Sequence, residues 1–443
     1  MSGFKNILKR IFWRLPLPMS FKRSIRNKLS KNKEPEQRNF SFSSKQRSSD
    51  SYLESYVEQI INLPVYKSND YIEYKQHDHI YGKSKIIAYY LTQFHPTEKN
   101  NLWWGKGTTE WTNVTKAVPQ FVGHIQPKLP GDLGFYDLRL IDNMMEQVKI
   151  AKNYGVDGFC FYFYWFNGER ALEIPLNLFL QTPSLDIGFS ICWCNEDWTK
   201  RYSGINNEVL MSVGTTTESY KRFIDDAIPL FLDKRYIKVN GRPILSIYRP
   251  SQVPDSKNIL SYWRKRVKEK TGLELYLIAS QEALIDIDWT ARGYDAISQF
   301  QPASIADKSP RLKEINAIRS DFNGQIYDYS KIVNDNIGIK TIKYKKVYPA
   351  VMPSWDNTSR RNQHATIYYN ATPSDYKKWL KQAILYSTNN RNTEESFVFV
   401  NAWNEWGEGA YLEPDRFNGY AFLEATYEAR KEIENDARNI END

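Results

Sequence analysis

Residues 156–164 read VDGFCFYFY, and a second run of the same kind, IGFSICWC, follows at 187–194. Both are continuous apolar runs, rich in aromatic residues. Strands covered on both faces read this way, whereas strands with one wet face alternate polar and apolar positions. Six more such runs lie outward from these two: 85–91 (KIIAYYL), 243–248 (PILSIY), 274–279 (ELYLIA), 295–300 (DAISQF), 347–352 (VYPAVM) and 396–402 (SFVFVNA). Between and after them come stretches of helical period at 138–154, 170–181, 217–234, 255–271, 282–292, 325–338, 373–389 and 418–435. Eight strands, each followed by a helix, predict an α/β fold of the (β/α)8 TIM-barrel kind. An open doubly wound sheet is the alternative. The phosphate-binding glycine patterns expected there, G-x-G-x-x-G and G-x-x-x-x-G-K-[ST], are absent from the sequence.

A barrel with long loops accounts for most of the 443 residues. At 41% hydrophobic the chain can bury a large core, which excludes wholesale disorder. Three cysteines exclude a disulfide scaffold. No apolar run approaches the roughly 20 residues of a spanning helix. The expected organisation is a basic tail with linker at 1–50, a lead-in at 51–84 with a helix over 52–63, the barrel at 85–435 and a short C-terminal tail at 436–443.

The net charge of +8 is unevenly placed. Residues 1–50 hold 13 of the 60 Lys and Arg but only 3 of the 52 Asp and Glu, a net of +10. The rest of the chain is therefore slightly acidic, which disfavours nucleic acid as a partner of the body. In the tail, Phe4, Ile7, Leu8, Ile11, Phe12 and Leu15 form one helical stripe with Lys5, Lys9, Arg10 and Arg14 between them. This cationic amphipathic pattern reads as an anchor at an anionic membrane surface, carried by residues 4–33. A helix docking on the body and an organelle transit peptide are the competing readings. The anchor reading places the protein in the cytoplasm, peripheral at the inner face of the cytoplasmic membrane.

In a (β/α)8 barrel, chemistry sits at the C-terminal ends of the strands. The first connection there, residues 92–131, is a 40-residue loop in this reading, a length that usually signals function. Nine of the 13 tryptophans (103, 104, 111, 165, 193, 198, 355, 403 and 406) map to this one rim. Indoles that cover the C–H face of a sugar, beside amides and carboxylates that bind its hydroxyls, make a saccharide site. The candidate sugar contacts are His95, Trp104, Trp111, Trp165, Asn195, Glu196, Trp198, Trp355, Trp403, Asn404 and Trp406.

Glu405 and Glu408, at the end of the eighth strand, are the candidate catalytic pair. A spacing of three puts both side chains on one face once the chain has left the strand for a helical turn. Two carboxyls beside one scissile bond are what glycosyl transfer needs, one giving a proton and the other serving as base or nucleophile. Mutual repulsion and burial by Trp403 and Trp406 would keep one of them protonated near neutrality. No cofactor and no metal is expected. The five histidines are scattered, Asp286-Ile287-Asp288 follows a predicted helical segment, and Cys160, Cys192 and Cys194 read as buried thiols.

Six segments also resemble the WbsX-type proteins, which are related to glycoside hydrolase family 99. They are IAYYLTQFHP (87–96), EWTNV (110–114), QPKLPGDLGFYD (126–137), VDGFCFYFYWF (156–166), CWCNEDWTKRY (192–202) and NAWNEWGEGAYLEPD (401–415). The resemblance runs from about 85 to 430. It implies a (β/α)8 fold and retaining chemistry on α-mannoside-like linkages through the Glu-x-x-Glu motif. Carried onto this chain, Glu405 would deprotonate the substrate's own 2-hydroxyl, which attacks the anomeric carbon to give an anhydro-sugar, and Glu408 would be the acid/base. Glu413-Pro414 is similar to a downstream Glu-Pro of the family and adds Glu413 to the substrate-binding candidates. The WbsX branch implies glycosyl transfer in bacterial O-antigen or capsule synthesis, with a saccharide or lipid-linked oligosaccharide as substrate. Two readings stay open beside it: an endo-α-mannosidase-like hydrolase and a non-catalytic sugar-binding barrel.

Overall fold

The computed structural model describes residues 67–442, apart from 79, 81, 201–207, 215, 313, 319–320 and 391–394, and upstream of these only residues 54, 57 and 58. The tail at 1–50 and nearly all of the expected lead-in helix lie outside the described residues. Backbone contacts divide the chain into Met1–Ser48 and Ser49–Asp443, and the barrel belongs to the second unit.

Among the described residues, eight parallel strands form the barrel: β1 (Ser84–Tyr90), β2 (Gly158–Phe166), β3 (Gly188–Trp193), β4 (Arg242–Ile247), β5 (Tyr276–Ser280), β6 (Ala296–Ser298), β7 (Val347–Tyr348 with Ala350–Val351) and β8 (Ser396–Val400). Strand follows strand around the ring in chain order, and β8 pairs with β1 in the register Ile87 opposite Phe399. The seventh strand is split by Pro349, which has no N–H to give to a ladder. Its two halves serve different neighbours. The Tyr348 carbonyl accepts from Gln299 N, just past β6, at 2.9 Å, and the Pro349 carbonyl accepts from Phe399 N of β8 at 3.0 Å, which completes the ring.

The strands are apolar because both faces are covered. All but one of the nine residues of β2 are buried. Inside, the rings of Tyr89 and Phe399 stack at 5.5 Å, and outside, Trp193 lies flat on Phe223 at 3.9 Å. Phe223 belongs to the helix Thr217–Phe231, which starts where the Thr216 side chain accepts from Ser219 N. The helix Pro373–Asn389 starts in the same way, with Thr372 as cap and Pro373 in its first turn.

Three expected elements differ. No α-helix forms over 282–292, where there is only the 3-10 turn Trp289–Arg292. Asp288 caps that turn, Asp286 pairs with Lys343, and Leu284 has a positive φ of 62°, so short acidic side chains draw the backbone away from a helix. Over 325–338, Gln325–Asp328 is a strand paired with Thr366–Tyr369, and the helix begins only at Tyr329, capped by Asp328. The long connection after β1 is not one loop, since it holds two short helices, Glu98–Trp104 and Glu110–Val114. The three cysteines are buried free thiols, as expected.

Candidate active site

Beyond β8 the chain makes a tight ribbon. Asn404–Glu405 pairs with Ala410–Tyr411, and the 3-10 turn Trp406–Glu408 lies between them. Gly409, at φ 58°, closes that turn in a conformation that favours glycine. The helical turn puts Glu405 and Glu408 on one side, facing a cavity of about 360 Å³ at the C-terminal end of the barrel. The volume lies within the range of small-molecule sites.

Asn404 fixes the ribbon to β1. Its side-chain oxygen accepts from Leu91 N at 2.7 Å and its amide donates to the Leu91 carbonyl at 3.0 Å, extending the β1 edge by one side chain. Glu413 ties the back of the ribbon down. It accepts from the Trp406 indole at 2.6 Å, from Gln147 at 2.6 Å and from the Tyr136 hydroxyl at 2.8 Å. Burial pushes its carboxyl up to about 7, against the pull of those three donors. Trp406 in turn stacks on Tyr411 at 3.7 Å.

The two candidate glutamates share one partner. Arg360 donates from Nη2 to Glu405 Oε2 at 2.9 Å and from Nη1 to Glu408 Oε1 at 2.8 Å. Its Nε donates to a third carboxylate, Glu110 Oε1, also at 2.9 Å. Side-chain exposure is 0% for Glu110, 6% for Glu405 and 11% for Arg360. Burial pushes Glu405 up to about 8; Arg360 opposes the rise, and Glu408 and Glu110 add to it. Burial also raises Glu408, again with Arg360 opposing. Three carboxyls around one guanidinium cannot all ionise cheaply, so near neutrality a proton stays within the cluster.

Each member of the cluster is delivered by a rigid piece of chain. Arg360 sits on the short helix Thr358–Arg361 after β7, where Ser359 Oγ donates to the Gly407 carbonyl at 2.6 Å. Asp356 steadies the start of that helix by accepting from Thr358 N at 3.1 Å. Its other oxygen accepts from Gln126 Nε2 at 2.6 Å and meets His124 Nε2 at 2.7 Å, which clamps the long connection after β1 onto the end of β7. Glu110 opens the helix Glu110–Val114, whose cap is the Thr109–Thr112 capping box.

Of the sequence-predicted site residues, Trp104, Glu196, Trp198, Trp355, Glu405 and Glu408 line the cavity. Glu196 there accepts from Arg249 Nε at 3.0 Å. The others lie off the cavity wall. Trp165 is fully buried and points outward, its indole donating to Asp226 on a barrel helix. Trp111 packs between Phe94 and Trp406 and donates to the Tyr136 carbonyl at 2.9 Å. Asn195 straps the end of β3 to the end of β4 through the N–H and carbonyl of Arg249. Trp403, Asn404, Trp406 and Glu413 form the support beneath the pair. His95 is fully buried, which lowers its pKa, and does not reach the cavity wall. Of the nine rim tryptophans, then, Trp103, Trp104, Trp198 and Trp355 face the cavity, and Trp111, Trp165, Trp193, Trp403 and Trp406 are core.

Sequence reading missed Glu110, Arg360 and the tyrosines Tyr162 and Tyr164, which share the cavity wall with Tyr248 at the end of the fourth strand. Glu110 opens EWTNV, a segment that carries the family resemblance but gives no local sign of an ion pair. Among the described residues, no cluster of three or more His, Cys, Asp and Glu side chains is arranged to hold a metal ion. Asp286 instead makes a surface pair with Lys343.

The family model for glycosyltransferase WbsX matches residues 86–426. The chain belongs to the WbsX glycosyltransferase family. All four residues of the charged cluster fall inside the matched span. Two further comparisons bear on this member of the family. It is 38% identical over 344 residues to the uncharacterized protein WxcX of Xanthomonas campestris pv. campestris strain B100, covering 78% of this chain and 49% of that protein. The chain thus spans about half the length of the curated relatives it matches. Among solved structures, a glycoside hydrolase-like protein matches with a TM-score of 0.50 at 13% identity, over 81% of this chain and 97% of that one, which shows the shared fold. A family 99 endo-α-mannosidase from Bacteroides thetaiotaomicron matches with a TM-score of 0.48 at 13% identity, over 80% and 99% of the two chains. The WbsX chain is therefore a (β/α)8 barrel of a carbohydrate-active enzyme family.

Proposed function

We propose that this WbsX chain transfers a glycosyl group during assembly of a bacterial surface polysaccharide, O-antigen or capsule, and that Glu405 and Glu408 carry the reaction. The observation that supports this most is the placement of both glutamates, Glu405 buried and Glu408 partly exposed, sharing one guanidinium at the head of an aromatic-walled cavity on the barrel's C-terminal face. One proton held in the cluster leaves one carboxyl to donate and another to accept.

The route follows the family resemblance. Glu405 takes the proton of the substrate's 2-hydroxyl, and that oxygen attacks the anomeric carbon. The glycosidic bond breaks as Glu408 protonates the leaving oxygen. An acceptor hydroxyl then attacks the anomeric carbon, giving its proton to Glu408, while the departing 2-oxygen recovers its own from Glu405. The route runs from the form with the shared proton on Glu408 and Glu405 empty, a minority form below about pH 8, where Glu405 holds its proton; the raised pKa makes the empty Glu405 the stronger base. Trp104, Trp198 and Trp355 offer flat apolar faces to the sugar, and Glu196 offers a carboxylate to its hydroxyls. The substrate class is a lipid-linked oligosaccharide, met at the inner face of the cytoplasmic membrane through the basic stripe of residues 4–33.

Mass spectrometry of products from lipid-linked oligosaccharides and α-mannosides tests the reading. Transfer adds one sugar mass to an acceptor. Addition of water instead would make the protein a hydrolase, and binding without any product would make it a sugar-binding barrel.

A further inference from the structure

The Glu-x-x-Glu motif is not a self-contained pair. Its two carboxyls are joined through Arg360, and Arg360 is held from behind by Glu110, which lies 250 residues away in the chain. Glu110 is fully buried in that third contact, and the guanidinium is engaged on Nε, Nη1 and Nη2, each with a different carboxylate. One planar fork with three fixed contacts leaves neither Glu405 nor Glu408 free to turn. The backbone is shaped around this arrangement, because a Cβ on Gly407 would stand 1.6 Å from Glu110 Oε1 and 2.7 Å from Arg360 Nε.

We propose that Glu110 and Arg360 are a positioning pair that fixes the orientation of Glu405 and Glu408 and sets how many protons the two share. The proposal rests on the catalytic reading of Glu405 and Glu408. Neither partner need touch the reacting atoms to act in this way. Arg360 lowers the cost of ionising both glutamates, and Glu110 takes back part of that help by claiming one edge of the guanidinium. The cluster thus carries three potential negative charges against one positive charge, and the surplus is met by a proton.

Other titratable groups face the cluster. Glu196 acts on Glu408 from the end of β3. Tyr162 on β2 senses both glutamates, and Tyr248 after β4 senses Glu408. Lys116 faces Glu110 from just past the end of the helix Glu110–Val114, and Arg361 lines the cavity beside Arg360. All of these stay in place when Glu110 alone is changed, so its charge can be tested in isolation. Glu110→Gln keeps the acceptor for Arg360 Nε and removes one negative charge.

The test is infrared titration of protonated carboxyl groups in the full-length protein between pH 5 and 10. The Glu405 band is identified as the one lost in Glu405→Gln, and circular dichroism checks the fold of each variant. In wild type the band disappears around pH 8, the value to which Glu405 is raised. In Glu110→Gln the transition moves down by about one pH unit, the size expected for removing a like charge a few ångströms away. Adding Arg360→Gln to that variant moves it back up. If Glu110→Gln does not fold, the single variant Arg360→Gln reads the other half of the pair, and loss of its positive charge moves the transition up. A transition that stays in place, or moves the other way, overturns the proposal. The titration needs no substrate, so its failure is separable from failure of the transferase reading, which only turnover can overturn.

Discussion

Gly407 lies directly against the Glu110 carboxylate, although 297 residues separate them in the chain. The middle of the motif has to be a glycine because a buried acid from the first long connection occupies the space where a side chain would be. The contact joins the start of the barrel to its end at the point where the two candidate catalytic groups emerge.

Gly407→Ala should therefore damage both stability and activity. The added methyl group must push Glu110 or Arg360 aside, at a cost of about 1–3 kcal/mol for overpacking. Urea denaturation measures the loss. Adding Glu110→Ala should restore part of the stability but not turnover, because the space is relieved while the support of Arg360 is gone.

Asp356 is the second structural acid. Burial alone would raise its pKa, but His124 and Lys128 hold it well below the usual carboxylate range. Its folded pKa lies under its unfolded value of about 3.9, so its stabilisation is present above that pH and is lost as pH falls toward the folded value. Asp356→Asn should cost about 3 kcal/mol at pH 7, as expected when one partner of a buried charged group is removed. The gap between variant and wild type should hold from pH 8 to pH 5 and narrow below pH 4. A gap that widens with acid would contradict the assignment.

Trp198 and Trp165 belong to the same predicted rim, but their substitutions should behave differently. Trp165→Ala should destabilise by about 3–5 kcal/mol, since it opens a void in the core. Trp198→Ala should leave the urea midpoint near wild type and weaken binding of whichever oligosaccharide the product screen identifies. Calorimetry and denaturation on both variants give the comparison.

The basic tail makes a prediction of its own. Full-length protein should co-sediment with anionic phospholipid vesicles, and protein lacking residues 1–50 should not, with the difference fading as salt rises. Equal binding by the two forms would remove the anchor.

The barrel was legible because its strands are buried on both faces and stand out as unbroken apolar runs. β8 and the Glu-x-x-Glu turn beyond it could be placed for that reason. The rim was less legible, because an apolar run hides which way each side chain points. Tyr162 and Tyr164 face the cavity, so by the two-residue period of a strand Trp165 faces the helices. Asn404 and Asn195, polar residues at strand ends, turned out to bind backbone rather than face the cavity. Arg360 and Glu110 were out of reach for a different reason. Their roles come from the convergence of three distant segments, and nothing local in TSRR or EWTNV announces an ion pair. The helix expected over 282–292 failed because its aspartates are committed to caps and surface pairs, a competition that apolar periodicity does not register.

Turnover of Glu405→Gln and Glu408→Gln, each measured beside oligosaccharide binding by the same protein, decides whether these two glutamates do the chemistry. Both variants should lose turnover by at least roughly 100-fold, the lower end for removing a positioned acid or base, while binding stays within about threefold of wild type. Turnover above about one tenth of wild type in either variant would contradict that role.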